Sequence, residues 1–314
     1  GVWAAGRKTG KVLESILLIS MVSPPFVSSL AYIQLFGRNG MITKRLLGLS
    51  INPYGWLGVV VMQTLFFASL NALMILGMLR KMDMSLVRAS SDLGAGSGYT
   101  LWRIVIPLMR PILLSCFLLS FIRSVSDYGT PVVIGGRFET VSTEIYMQVI
   151  GYSRLDKSAA LNVLIMIPAI LVFAIYRYLM KKNERLVAGN SNKTMESGDS
   201  YCVKGVSAIL VWLGAAIFYV MMALVYGSIF LNSFTKNMRG KLKFTTEYLD
   251  ALLERNMDTF IRSVQYALIV AIVGTFIGIL LSYYIDRRKI RFGGMLDFLI
   301  TMPYMLPGSC FGIG

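Results

Sequence analysis

One basic and one acidic side chain, Arg123 and Asp127, stand four residues apart inside an otherwise apolar stretch of this chain. On a helix that spacing puts both on one face. Charges at membrane depth are costly and face a partner or a wet path. Two roles stay open for the pair, a structural ion pair or the lining of a solute path. Other chemistries are excluded by residue type. The chain has no histidine, which removes His-based metal sites, Ser-His-Asp triads and imidazole relays. Cys116, Cys202 and Cys310 are far apart and form no CxxC, so they read as structural thiols, without a zinc site or a disulfide framework. Residues 6–11, GRKTGK, imitate a phosphate-binding loop but are one residue short between the glycines. They are also followed by Val12 where Ser or Thr is needed. No cofactor, ATP included, is expected on this chain. The apolar stretches hold no paired carboxylates, nucleophile–base pair or metal-ligand spacing, which argues against an intramembrane enzyme.

The elements that position these residues are set by hydropathy. Of 314 residues, 55% are hydrophobic and 15% charged, where a soluble domain carries roughly 25% charged residues. The mean hydropathy is +0.64. Apolar text clusters into blocks at about 12–36, 56–79, 111–134, 158–180, 205–231, 261–285 and 295–314, each near the length that crosses a bilayer. Backbone groups in hydrocarbon must be satisfied within the segment, so the blocks are predicted helices and the fold an all-α polytopic membrane bundle. Pro24, Pro25, Pro168, Pro303 and Pro307 predict kinks. Gly274 and Gly278 form a GxxxG pattern suited to close helix packing. Arg262 reads as an interface anchor.

The net charge of +15 comes from cations in the joints between blocks, so a membrane surface, and not nucleic acid, is the partner it implies. The richer joints hold Arg7, Lys8 and Lys11; Arg80, Lys81, Arg88, Arg103 and Arg110; Lys181, Lys182, Arg185, Lys193 and Lys204; and Arg287, Arg288, Lys289 and Arg291. They alternate with poorer joints and are assigned to the cytoplasm. The weak point is 232–260, an outer loop in this scheme that nevertheless carries several lysines.

Residues 183–204 are polar and mostly small, the composition of a cytoplasmic linker. On either side of it, stretches 8–29 and 287–308 each begin with a basic cluster, run through an apolar helix start and meet proline about 16 residues on. Two copies of one membrane unit are the economical explanation: 1–182, with a cytoplasmic loop at 80–110, and 205–314. The chain opens at Gly1 and stops at Gly314 within an apolar run, and both units are expected to be incomplete.

The joint 80–110 is too patterned for a simple turn. Residues 84–93 predict a short helix with Asp83 or Ser85 as its cap. Gly94 is placed to end it with a left-handed backbone. A second stretch, 101–106, is expected to run into Pro107, after which the next span begins. A helix–glycine–helix element of this kind is a rigid knob for a soluble partner to grip, or else an amphipathic helix lying on lipid.

These residues resemble the cytoplasmic loop of ABC importer permeases, whose pattern is EAA, three residues, Gly, nine residues, Ile, one residue, Leu-Pro. Here Arg88, Ala89 and Ser90 stand at EAA, Gly94 at the glycine, Ile104 at the isoleucine, and Ile106 with Pro107 at Leu-Pro. Residues 126–131, SDYGTP, followed by Gly135 and Gly136, look like the corresponding segment of ferric-iron-group permeases, which fuse two permease units. Arg88 and Ser90 depart from the pattern, and the reversed charge bears on how the loop docks. The resemblance implies an ATPase subunit (a homodimer) that binds ATP and Mg, an extracytoplasmic solute-binding protein, a multi-pass inner-membrane location, and ferric iron as solute. Similar permeases move phosphonate, thiamine or polyamine. An ion-coupled secondary transporter is the alternative class, for which only Asp127 qualifies as an intramembrane acid.

Overall fold

The computed structural model describes residues 7–22, 25–48, 52–82, 85–187, 206–238 and 241–288, with single positions 293, 296 and 300. Nearly all of the expected span 295–314, Pro24, Pro303, Pro307, Cys202, Cys310, Asp83 and most of the linker lie outside those residues. Contacts divide the chain into two compact units, the split falling between Tyr226 and Gly227.

The first unit is helical. Helices α1 (Arg7–Val22) and α2 (Pro25–Phe36) replace the single block expected at 12–36; the segments Gly10–Met21 and Phe26–Lys44 meet at 104°. Helix α3 covers Trp56–Lys81 and α4 covers Ser85–Asp92. Helix α5 runs unbroken over Ser97–Ser126. Short α6 (Gly129–Ile134) and α7 (Val141–Ile150) follow, then α8 (Leu155–Val187), with Pro168 inside it. Helix α9 covers Val206–Ser233 and runs through the split between units.

Two sequence expectations change here. Block 111–134 is not one span, because α5 ends at Ser126 and Asp127 adopts an extended conformation with ψ 111. Asp127 therefore closes the helix four residues after Arg123, and the chain turns away beyond it. Nor does a new span begin after Pro107. The chain is already helical from Ser97, and a π turn at Leu101–Val105 lets the Ile106 N–H donate to Leu101 O just before the proline, which has no N–H of its own. By contacts the chain divides within α9, beyond the expected linker. Residues 206–226 of α9 pack with the first unit, where the Tyr219 hydroxyl donates to Leu13 O (3.2 Å) and the Tyr226 hydroxyl to Ser20 O (2.9 Å). The first five residues of the expected linker, 183–187, continue α8.

Small and polar residues mark where helices meet. Ser20 Oγ donates to Ser69 Oγ at 2.6 Å between α1 and α3, and both residues are buried. In a bilayer such contacts hold helices that hydrophobicity alone does not bring together. Cys116 is a buried free thiol.

The second unit carries one feature that an all-α expectation omits, an antiparallel hairpin of β1 (Thr235–Met238) and β2 (Lys241–Phe244). Helix α10 (Glu247–Ile285) follows it. Gly274 and Gly278 lie on α10 with open space around them within the described residues. Among the described residues, five helices are long and apolar enough to cross a membrane, or six if the bent pair counts as one span.

Candidate functional site

The elbow between α3 and α5 is built around one buried valine. Val87, on the inner face of α4, joins Met82, Val105 and Met109 in an apolar cluster, with Ile75, Leu79, Leu101 and Ile112 packed against it. This clamps the short helix to the end of α3 and the start of α5. An isolated eight-residue helix is unstable in water, so this packing is what holds α4.

The end of α4 is closed by backbone geometry. Gly94 has φ +79, and its N–H donates to Ser91 O (2.9 Å) while the Ala95 N–H donates to Ser90 O (3.0 Å). These are the two hydrogen bonds of a Schellman motif. A Cβ at Gly94 would meet nothing within 4 Å, so glycine is required there for its left-handed conformation and not for space.

Of the matched loop residues, Arg88 and Ala89 are exposed, while Ser90 is buried. The Ser90 hydroxyl hydrogen-bonds the Thr100 hydroxyl across the elbow at 2.8 Å. That bond accounts for serine at a position where the family pattern has alanine: the residue is small and buried, and its added oxygen has a partner. Ile104 and Pro107 lie half-buried on α5. Outward from the elbow stand Leu86, Leu93, Tyr99 and Trp102, with Leu93 87% and Trp102 68% exposed. A rigid, glycine-closed surface with large apolar side chains turned outward is suited to docking and holds no reactive group.

An ion pair not anticipated from sequence steadies the elbow's root. Arg80 donates from both terminal nitrogens to the Glu14 carboxylate, at 2.8 and 2.6 Å, tying the end of α3 to α1. The fork geometry orients as well as attracts.

At the far end of α5 the polar groups turn inward. Gln63 on α3 accepts from Ser124 Oγ (2.7 Å) and donates to Asp127 Oδ2 (3.1 Å). Asp127 Oδ1 accepts the Thr130 N–H (3.2 Å), so the carboxylate also secures the start of α6. Lower on the same interface Asn71 donates to Ser120 Oγ at 2.7 Å. Arg123 remains on α5, half-buried. Sequence reasoning missed Gln63 and Asn71; the signal available was an amide inside an apolar span. A hollow of about 310 Å³ lined by Glu139, Glu144, Gln148, Tyr152 and Arg154 lies at the joint between α7 and α8. Among the described residues, no three His, Cys, Asp or Glu side chains gather as ion ligands.

Comparison with known proteins places this arrangement. Residues 1–185 match the family described as binding-protein-dependent transport system inner membrane component. A ferric transport system permease protein of Actinobacillus pleuropneumoniae is 30% identical over 325 residues, covering 98% of this chain and 46% of that protein. A Haemophilus influenzae protein named for the same system is 29% identical over 324 residues, covering 98% of this chain and 50% of its own. A molybdenum transport system permease protein of Mycobacterium tuberculosis is 32% identical over 177 residues, 53% of this chain and 65% of that protein. The chain spans about half the length of the two ferric relatives. No solved structure matches it. On the family match, which covers more than half of the sequence and agrees with several membrane-length helices, this chain belongs to the binding-protein-dependent transport system inner membrane components and is a multi-pass inner-membrane protein.

Proposed function

We propose that this chain forms the membrane-spanning permease of an ATP-driven, binding-protein-dependent importer for ferric iron. The elbow carries the reading: α4 is pinned from beneath by Val87 and closed at Gly94, and it turns Leu86 and Leu93 outward. A separate ATPase subunit, a homodimer that binds ATP and Mg, seats on this surface. Closure of the ATPase moves the elbow, and the bundle changes the side on which its path is open. The permease thus transmits a coupling free energy between two distant sites. Arg88, Ala89, Ser90, Gly94, Ile104 and Pro107 make up the coupling loop, which lies on the cytoplasmic side. An extracytoplasmic solute-binding protein delivers the cargo.

Ferric iron is favoured over the other solutes because two proteins named for ferric transport match 98% of this chain, whereas the molybdenum permease named above matches 53% of it. The family match over residues 1–185 supports a first permease unit at 1–182, joined through 183–204 to a second unit beginning at 205. Arg123 and Asp127 border the solute path at the inner end of the Gln63 network. Gly274 and Gly278 provide a close-packing face on α10.

The deciding experiment places a photocrosslinker at Leu93 in the full-length protein in its native membrane. Adducts with a nucleotide-hydrolysing subunit are expected, together with uptake that stops when ATP is depleted. Adducts with lipid alone, or uptake that persists without ATP, would overturn the proposal.

A further inference from the structure

The hairpin after α9 holds the lysines that sit badly with the charge alternation of the joints. Lys236, Arg239, Lys241 and Lys243 fall within eight residues of a joint otherwise assigned to the cation-poor side. The register adds a second puzzle, since Lys236 pairs directly with Lys243 across the strands. Like charges directly opposite one another destabilise a two-stranded sheet. Lys236 is partly compensated by Glu247, whose carboxylate accepts from its Nζ at 2.7 and 3.0 Å. That contact keeps the lysine charged to higher pH than usual. Lys243 is exposed.

The opposite face of the hairpin is aromatic. Phe244 stands across from Thr235 and stacks on Phe234 with ring centroids 6.0 Å apart and planes within 4°. Phe234 in turn meets Phe230 of α9 at 5.2 Å. The ladder is open to the surroundings, with Phe230 69% and Phe244 76% exposed. Its mounting is firm. The Thr245 N–H donates to Phe234 O (2.9 Å), the Thr235 hydroxyl to Leu231 O (2.6 Å), and the Lys236–Glu247 pair reaches the first residue of α10. The hairpin is thereby fixed to the ends of two membrane-length helices, Trp212–Ser233 and Glu247–Ile285.

From this juxtaposition we infer that the paired strands 235–238 and 241–244 are a lipid-binding element, which inserts Phe244 at the acyl boundary and holds anionic phospholipid headgroups on the cross-strand lysines Lys243 and Lys236. The aromatic ladder begins on the apolar span itself and continues onto the hairpin, so the bilayer that surrounds Phe230 is the surface Phe244 meets next. Amphipathic elements with an aromatic face and a lysine face lie at this depth. A phosphate group near the cross-strand lysines relieves their repulsion, which accounts for cations kept on a side where the charge rule disfavours them.

The test uses the full-length chain in bilayers of phosphatidylcholine with a minor fraction of phosphatidylglycerol, with p-benzoylphenylalanine in place of Phe244. Phospholipid adducts are expected after illumination, enriched in phosphatidylglycerol over the bilayer composition by about fivefold for each lysine that acts. The variant K243Q leaves the Lys236–Glu247 contact in place, and its enrichment should fall by about fivefold. Raising the salt to about 0.5 M should weaken the preference. Adducts that mirror the bilayer composition in the unmodified hairpin would overturn the inference. So would a preference that K243Q leaves undiminished, or adducts with a protein in place of lipid when the assembly is illuminated in native membranes.

Discussion

The two ends of α5 are built from the same apolar text and put it to opposite uses. At the Ser97 end the helix meets α4 over a buried cluster, and the large side chains Leu93, Tyr99 and Trp102 point away from the protein. At the Ser126 end the helix stops on Asp127, and the polar groups Ser124, Asp127 and Gln63 point into it and satisfy one another. In a water-soluble protein the first arrangement would be a liability and the second a modest gain. In a membrane protein the first is the surface on which the proposed ATPase would seat, and the second fixes one helix against another. Apolar composition decides that a helix crosses the membrane. Where the few polar atoms go decides what each end does.

The comparison breaks most sharply at Gly94. Replacing it with valine forces a β-branched residue into a left-handed conformation, at a cost of about 1–2 kcal/mol, and opens the Schellman closure. Uptake should fall by roughly tenfold or more with membrane insertion unchanged; protease protection beside a transport assay separates the two, and normal uptake would remove the docking role. At the opposite end, Gln63→Leu deletes both amide hydrogen bonds. A loss of about 1–2 kcal/mol is expected, seen as a lower unfolding temperature in detergent. Crosslinking from the elbow to the ATPase should be retained. If it is lost, the two ends are not separable and the contrast fails. The smallest effect belongs to Ser90→Ala, which restores the residue of the family pattern. Thr100 keeps its contact with Gly96 O at 3.3 Å, so about 0.5–1 kcal/mol of local stability should go, with coupling intact by the same transport assay.

Much of this was legible in the residues. The blocks at 56–79, 158–180, 205–231 and 261–285 correspond to helices, because twenty apolar residues have few other stable states. The glycine that ends α4 announced itself by its place after a short amphipathic run, and the structure puts it at φ +79. Block 111–134 misled, because averaged hydropathy passes over a turn whose flanking text is equally apolar; the local signal was Asp127 followed by Gly129, a cap and a turn residue. The hairpin was also readable, as two four-residue runs separated by Arg239 and Gly240, but its lysines drew attention only as charge. What sequence could not supply was pairing. Nothing in the text joins Glu14 to Arg80 or Gln63 to Ser124, since helices apolar on all sides carry no periodic mark of the face that meets a neighbour.

The hydrogen bonds Asn71–Ser120 and Gln63–Ser124 act as two rungs between antiparallel rods. They stand eight residues apart on α3 and four apart on α5, about 12 and 6 Å along the two axes, so the rungs splay towards α3. One rung would leave the pair free to swivel about it, whereas two fix their register. Sliding α5 past α3 by a single helical turn, about 5.4 Å, tears both rungs at once. Under the coupling proposed above, a push on the elbow would reach the far end of α5 without being taken up as sliding between the two rods.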